Sequence, residues 1–201
     1  MCSKKRQHFL MILMVVIVVA SFILGSVQPV DEILQSGSVL QANSYFDNNS
    51  KFKINLPIGW TVQDVASSTN SSNTWFHDVS KEETRGAMTL VIGRFERTSS
   101  MDKSIKEFGE AGFVEEMSKQ VRSGINQYSV ISTSTIMINE VPYYLTVGSY
   151  VGGKTNKKVI QYTYLTLTDS AYYLIGIDTY EEIWEKNKEG IFESLSTLKL
   201  L

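Results

Sequence analysis

The chain has little cysteine, proline and histidine: of its 201 residues, one is Cys, three are Pro and two are His. A single cysteine, Cys2, cannot form a disulfide within the chain, which excludes a disulfide-stapled fold. The three prolines and 13 glycines also exclude collagen-like and low-complexity chains. These absences indicate an ordinary globular domain.

Basic charge is scarce as well, once the N-terminus is set aside. Three of the 19 Lys and Arg residues are Lys4, Lys5 and Arg6, so 16 remain to face all 21 Asp and Glu residues. The chain after residue 30 is therefore acidic, which is the wrong sign for binding a phosphate backbone. We expect no nucleic-acid partner.

One long apolar run precedes the acidic part. Residues 9–27 (FLMILMVVIVVASFILGSV) carry no charge, and a helix of that length spans about 28 Å, close to the hydrocarbon thickness of a bilayer. Basic residues before the run, and Asp31 and Glu32 after it, predict a single-pass signal anchor in the cell membrane. Residues 1–8 are then cytoplasmic and the rest lies outside. A cleaved signal peptide is the alternative, but Ile23-Leu24-Gly25 begins with a bulky residue where cleavage favours a small one.

The remainder is predicted to be a linker followed by one domain. Residues 28–43 contain Pro, Gly and Ser without sustained periodicity, as a linker does, which leaves residues 44–201 as the extracytoplasmic domain. The Ser/Thr/Asn cluster at residues 67–74 is predicted to be a loop. Alternating apolar residues and turn signals predict strands at 44–47, 51–56, 60–65, 75–80, 87–95, 127–138, 141–151, 157–168 and 171–177.

Two helices complete the prediction. The first covers residues 102–123, with Phe108 on its apolar stripe and a kink near Gly109. The second follows Thr179-Tyr180-Glu181-Glu182, which has the pattern of a capping box with Thr179 as the cap. Short links between the later strands require antiparallel pairing. The predicted fold class is α+β: a twisted antiparallel sheet of about seven strands with one mid-chain and one C-terminal helix packed on it.

Two short segments and the order of elements resemble a known family. Tyr45-Phe46-Asp47, the stretch Phe52–Trp60 (FKINLPIGW), the long strand meander and the closing amphipathic helix resemble the PsbP-related superfamily, which includes PsbP and the DcrB group. The resemblance covers about residues 45–201. Because known members are mostly non-catalytic, it implies a binding or assembly role. It fixes no ligand and transfers no metal-binding or partner-contact residue to this chain.

Catalytic residue patterns are few. The domain has one histidine, His77, and no cysteine, no G-x-S-x-G elbow and no phosphate-binding glycine loop. His77 and Asp78 are adjacent in a predicted strand, so their side chains should point to opposite faces and not form a site together. Asp47-Asn48-Asn49-Ser50 begins like a calcium loop but lacks the glycine and glutamate that such a loop needs, which leaves a tight turn. We expect no enzyme activity, no metal and no cofactor.

Tyrosines are the best candidates for binding residues. Seven of them fall on three consecutive predicted strands, where cross-strand neighbours come together on each face. Tyr143 is expected on the face that the helices cover. Tyr144, Tyr150 and Tyr172 are expected on the opposite face, exposed or under a loop, where tyrosines suit glycan or protein contacts. Packing within the sheet is the alternative explanation for all of them.

The leading hypothesis is a membrane-anchored, extracytoplasmic, non-catalytic binding or assembly module whose partner is a protein or a cell-surface component. A sensor of a small ligand or glycan, using the tyrosine-rich face, is the first alternative. A hydrolase or metal enzyme is the second, and it would need carboxylates that converge around a cleft.

Overall fold

The computed structural model of the chain describes residues 44–78, 88–125, 127–152 and 156–201. The predicted cytoplasmic N-terminus, anchor and linker (residues 1–8, 9–27 and 28–43) lie outside these ranges. Neither helix within them is long and apolar enough to cross a bilayer. The described strands are β1 (Ser44–Asp47), β2 (Phe52–Asn55), β3 (Trp60–Ser67), β4 (Ser71–Asp78), β5 (Met88–Glu96), β6 (Ser129–Ile138), β7 (Val141–Val151), β8 (Lys158–Leu167), β9 (Ala171–Tyr180) and β10 (Lys199–Leu200), and the helices are α1 (Ser99–Ser123) and α2 (Glu181–Ser196).

The centre of the fold is a seven-stranded sheet in the order β3-β4-β5-β9-β8-β7-β6. Every neighbouring pair is antiparallel, as the short connections require. Strand β9 is the last of these seven strands in the chain, but it lies inside the sheet, between β5 and β8. The predicted α+β class, with a sheet of seven antiparallel strands and two helices, is confirmed.

Each face of this sheet is covered by a different helix. On one face, which we call the α1 face, Val91, Leu165 and Leu174 pack against Phe113 and Met117 of α1. On the other, the α2 face, the buried residues include Leu90, Tyr164, Ile175, Trp184 and Ile191. The two apolar clusters use alternate residues of the same strands, which is why the central strands are apolar almost throughout.

A second, three-stranded sheet lies on the α2 face. Its order is β1-β2-β10, and Phe52 and Ile54 of β2 are fully buried in the same cluster as Trp184. The end of α2 is fastened to β2 twice: Ser194 Oγ donates to the Asn55 carbonyl at 2.6 Å, and the Asn55 amide donates to Thr197 Oγ1 at 2.8 Å. The prediction did not separate this sheet from the large one or include β10.

The turn between β1 and β2 is held by a buried carboxylate. Oδ1 of Asp47 accepts the backbone amides of Asn49 and Ser50, each at 2.8 Å, and Oδ2 accepts the hydroxyl of Thr74 in β4 at 2.5 Å. Burial raises the pKa of Asp47, but these hydrogen bonds outweigh burial and lower the pKa below its usual value. The predicted tight turn is therefore confirmed, and it also links the small sheet to the large one.

Helix α1 is broken at Gly109, as its glycine content predicts. Gly109 has φ 72° and ψ 168°, a backbone conformation that is not helical and that glycine reaches without a steric penalty. Met101, before the break, and Phe113, after it, are both buried, whereas Phe108 is 57% exposed. The prediction that Phe108 lies on the apolar stripe is wrong, because the break changes which residues face the sheet.

Two local predictions also need correction. Thr179 does not cap α2: the N-cap is Tyr180, without a side-chain bond, and Thr179 is a buried β9 residue paired with Met88 and Ile160. Strand pairing thus takes precedence over the capping-box pattern. Residues 67–74 are not one loop, because β4 begins at Ser71 and its Ser/Thr/Asn residues are paired with β5.

Candidate functional site

Polar residues cross the α1 face in one row, beyond the apolar area that α1 covers. The strand register pairs His77 with Thr89, Thr89 with Asp178, Asp178 with Gln161, and Gln161 with Gly148. Directly opposed residues of antiparallel strands point to the same face, so side chains from β4, β5, β9 and β8 lie side by side. The row ends at a glycine on β7.

A half-buried carboxyl group, that of Asp178, lies in the middle of this row. Gln161 is 2% exposed, and its Nε2 donates to Oδ1 of Asp178 at 2.9 Å. Burial raises the pKa of Asp178 to about 6, against the weaker opposing effect of hydrogen bonds from Gln161 and Tyr150. Asp178 therefore changes charge just below neutral pH.

Two tyrosines border this carboxyl group. Tyr128, which follows α1, stacks on Tyr150 with ring centroids 6.4 Å apart and an angle of 17° between the planes. The phenol of Tyr128 occupies the space where a side chain at residue 148 would lie, so only glycine fits there. Burial raises the pKa of Tyr128 to about 12, and burial together with Asp178 raises the pKa of Tyr150 further. Both hydroxyls are therefore neutral at physiological pH.

Two buried polar atoms of this group have no hydrogen-bond partner among the described residues: Oε1 of Gln161 and the hydroxyl of Tyr128. A buried polar atom without a partner costs about 1–3 kcal/mol, so such atoms in a folded protein usually bond to water or to a ligand. One is an acceptor and the other can donate or accept. Together with Asp178 and Tyr150 they form what we call the polar cluster: Tyr128, Tyr150, Gln161 and Asp178.

The sequence model of the PsbP family matches residues 41–200, which is most of the chain and all of the described domain. The chain belongs to the PsbP family. The resemblance seen in the sequence is thereby confirmed for the domain, while no curated protein sequence matches the chain.

Two solved structures, each with a TM-score of 0.51, show the same fold at low identity. The solution structure of cyanobacterial PsbP (CyanoP) from Synechocystis sp. PCC 6803 has a TM-score of 0.51 and 16% identity, and the match covers 85% of this chain and 98% of that one. A crystal structure from Bacteroides thetaiotaomicron VPI-5482 has a TM-score of 0.51 and 15% identity, over 80% of this chain and 49% of that one. LpqN of Mycobacterium tuberculosis, described as involved in cell envelope biogenesis, has a TM-score of 0.45 and 12% identity, over 80% of this chain and 90% of that one.

Of the three predicted tyrosines, only Tyr150 belongs to the polar cluster of this PsbP-family domain. Tyr144 is half-buried in the apolar cluster under α1. Tyr172 is 4% exposed and stacks on Phe95, with ring centroids 4.5 Å apart and an interplanar angle of 6°. The expectation that Tyr172 is exposed or lies under a loop is therefore corrected. The prediction placed both helices on the face of Tyr143, whereas each face of the sheet has its own helix.

Tyr128, Gln161 and Asp178 were not singled out from the sequence. Two signals in the sequence concern Asp178 and Tyr128, and none marks Gln161. Asp178 interrupts the apolar run of β9 (AYYLIGIDTY), and Gly148 stands inside the long strand β7, where a glycine indicates close approach by another part of the chain. Neither signal identifies the residue that approaches, because Tyr128 reaches Gly148 only through the fold.

Metal ligation finds no support within the described ranges, where no three His, Cys, Asp or Glu side chains come close enough to hold an ion. His77 pairs with Thr61 and Thr89 on the α1 face, and Asp78 is opposite Trp60 of the α2-face cluster. The two residues therefore point to opposite faces, as strand alternation predicts.

Proposed function

We propose that this PsbP-family protein is a non-catalytic binding module, held on the outer side of the membrane, that recognises a hydroxyl-bearing component of the cell surface at the polar cluster. The anchor is residues 9–27, with residues 1–8 in the cytoplasm and residues 44–201 outside. The leading hypothesis of a cell-surface partner and the alternative of a glycan-binding module meet in this proposal.

The observation that carries the proposal is a pair of buried atoms beside Asp178, Gln161 Oε1 and the Tyr128 hydroxyl, that have no hydrogen-bond partner in the described part of the chain. A ligand hydroxyl both donates and accepts, so it can satisfy an amide oxygen and a phenol at once. The stacked rings of Tyr128 and Tyr150 add an aromatic surface next to these groups. Aromatic rings beside carboxyl and amide groups suit the apolar faces and the hydroxyl edges of a sugar.

Binding without catalysis is favoured by the composition of the cluster. Asp178 is the only carboxyl among its four residues, whereas glycoside hydrolysis usually needs a pair of carboxylates on either side of the scissile bond. His77 lies in the same row but two strands from Asp178, with the two backbones about 10 Å apart at the usual strand spacing, so the two residues are not direct cross-strand neighbours. A hydrolase or a metal enzyme is therefore the weaker hypothesis.

The location of the protein rests on the sequence. The apolar run is long enough to span a bilayer, and the basic residues Lys4, Lys5 and Arg6 precede it. A domain so tethered meets lipid headgroups, glycans and other envelope components at high local concentration, so a weak binding site is sufficient there.

The experiment is a calorimetric titration of the full chain in detergent. The probes are two neutral monosaccharides, glucose and N-acetylglucosamine, and glycerol as a minimal polyol. We expect saturable binding of at least one monosaccharide, weakened at least tenfold in Tyr128→Phe and Gln161→Leu. Each substitution removes one bonding atom and keeps the approximate shape. No saturation by any of these probes, or an affinity in both variants equal to that of the native chain, contradicts the proposal.

A matched control is present on the other face of the sheet. The hydroxyl of Tyr164 is also buried and without a partner among the described residues, but it lies in the α2-face cluster. Tyr164→Phe removes the same atom from the same residue type and should leave the affinity unchanged. A loss of binding in this variant as well would indicate a general effect on the fold.

A further inference from the structure

Strand β6 forms one edge of the large sheet and is unusually unprotected. It pairs with β7, and none of the described residues pairs with its outer side. Exposed strand edges are usually blunted by charge, proline or shortness, because they otherwise accept another strand. β6 is ten residues long (SVISTSTIMI) and contains no charged residue and no proline.

The opposite edge of the sheet differs. Strand β3 carries Asp64 within its length and has a register shift between Val62 and Asp64. A charge and a bulge in an edge strand both oppose pairing with a further strand. Strand β6 also has a register shift, between Val130 and Ser132, but from Ser132 to Ile138 it has neither a shift nor a charge. This part of the β6 edge is therefore better suited than the β3 edge to accept a strand.

The turn after β6 determines which of its backbone groups face outward. Asn139 and Glu140 both have positive φ, 48° and 67°, as in a two-residue hairpin turn, so Ile138 and Val141 form the pair that exchanges hydrogen bonds next to the turn. Hydrogen-bonded pairs alternate along an antiparallel ladder. The amides and carbonyls of Thr133, Thr135 and Met137 therefore point away from β7, toward the open edge.

These three residues also share a face. Thr133 and Thr135 are opposite Thr146 and Tyr144 of β7, which places them on the α1 face, and Met137 follows by alternation. All three are exposed, Met137 by 63%. The part of β6 that contains these three residues, Ser132 to Ile138, pairs with β7 in a regular register, and the bulge in β6 lies before Ser132.

We propose that two copies of this protein associate through β6, antiparallel, with Thr135 at the two-fold axis. In this arrangement Thr135 pairs with Thr135 of the second copy. Thr133 of each copy pairs with Met137 of the other copy. All three outward-facing pairs exchange hydrogen bonds, and no other register uses all three residues of both copies. The strand carries no charge, so it does not repel its own copy, as a charged edge would.

The experiment uses the full chain in detergent, with Cys2→Ser to remove its one native cysteine. Thr135→Cys should form an intermolecular disulfide on mild oxidation, since a hydrogen-bonded antiparallel pair places the two Cα atoms about 5.5 Å apart, within disulfide range. The matched control is Ser132→Cys, on the same strand. Ser132 of one copy lies about 20 Å from Ser132 of the other in this register and should not cross-link.

A second variant tests association without a disulfide. Thr135→Lys places two like charges opposite each other at the axis and should weaken dimerisation at least tenfold in sedimentation analysis. Thr61→Lys, an exposed threonine on the β3 edge, should leave dimerisation unchanged. The proposal is overturned if the protein is a monomer at all concentrations. This holds whether the β6 edge is then free, occupied by another protein or occupied by residues before Ser44. Equal cross-linking at residues 132 and 135 also overturns the proposal.

Discussion

Nε2 of Gln161 donates a hydrogen bond to Oδ1 of Asp178 at 2.9 Å, across the middle strands of the sheet. The bond orients the amide so that its oxygen, buried and without a partner among the described residues, faces away from the carboxyl group. Gln161 thus links the group that titrates near neutral pH to the atom that can accept a ligand.

Replacing Asp178 by Asn should change how stability depends on pH. The pKa of Asp178 is about 6 in the folded protein and 3.8 as a reference value. Because the folded pKa is raised, its stabilising contribution is fully present below pH 4 and is lost as pH rises through 6, a loss of at most about 3 kcal/mol. Urea unfolding at pH 4 and pH 7.5 should show Asp178→Asn gaining stability relative to the native chain over this interval. A difference that does not vary with pH would contradict the assignment.

Gly148→Ala should be destabilising because its Cβ would meet the phenol of Tyr128. We expect a loss of about 1–3 kcal/mol in the free energy of unfolding, as for other overpacked sites. The same substitution in a Tyr128→Ala background should cost much less, and the difference is a coupling energy between the two residues. Gly190→Ala is the control: a Cβ there meets nothing within 4 Å, and helix propensity makes alanine better by about 0.5–1 kcal/mol. Equal costs of Gly148→Ala in both backgrounds would rule out the contact.

Asp47→Ala should destabilise the domain by about 2–4 kcal/mol, since it leaves the buried Ser50 amide and Thr74 hydroxyl without their acceptor. The pKa of Asp47 is lowered in the folded protein. Its contribution is therefore present above about pH 4 and is lost as pH falls below that value. Denaturant unfolding at pH 7 gives the first value. Asp64→Ala, at an exposed carboxylate that accepts only the Val65 amide among the described bonds, should cost less than about 0.5 kcal/mol.

Cys2 reports the orientation of the predicted anchor because it is the only thiol in the chain. A membrane-impermeant maleimide should leave intact cells unlabelled and should label lysed cells, if residues 1–8 are cytoplasmic. Labelling of intact cells would reverse the orientation. A mature protein that lacks Cys2 would establish cleavage of residues 1–27 in place of an anchor.

The general architecture could be predicted from the sequence because it depends on local patterns. Alternation in β7 and β8 and short turns such as Asn139-Glu140 require antiparallel neighbours wherever the strands lie in the sheet. The break at Gly109 also follows from one residue. Long-range placement could not be predicted in this way. Nothing local in β9 shows that it lies between β5 and β8, and that position fixes the pairing of Asp178 with Gln161.

The same limit explains the errors about individual side chains. Thr179 satisfies the capping-box pattern, but pairing with β5 and β8 holds it in a strand. Tyr172 was assigned to an open face because the predicted helices were placed together. In the fold, α1 follows β5 and covers Phe95 and Tyr172 on its own face. Which face a helix covers is determined by the completed sheet.

Ligand binding at the polar cluster is tested by an NMR titration of the full chain in detergent with tyrosine rings labelled. Addition of glucose or N-acetylglucosamine should shift the ring signals of Tyr128 and Tyr150, saturably and with one dissociation constant. The signals of Tyr143 and Tyr164, buried on the α2 face, should stay in place. Unchanged Tyr128 and Tyr150 signals at saturating sugar, or equal shifts on both faces of the sheet, would show that the polar cluster does not bind a hydroxyl-bearing ligand.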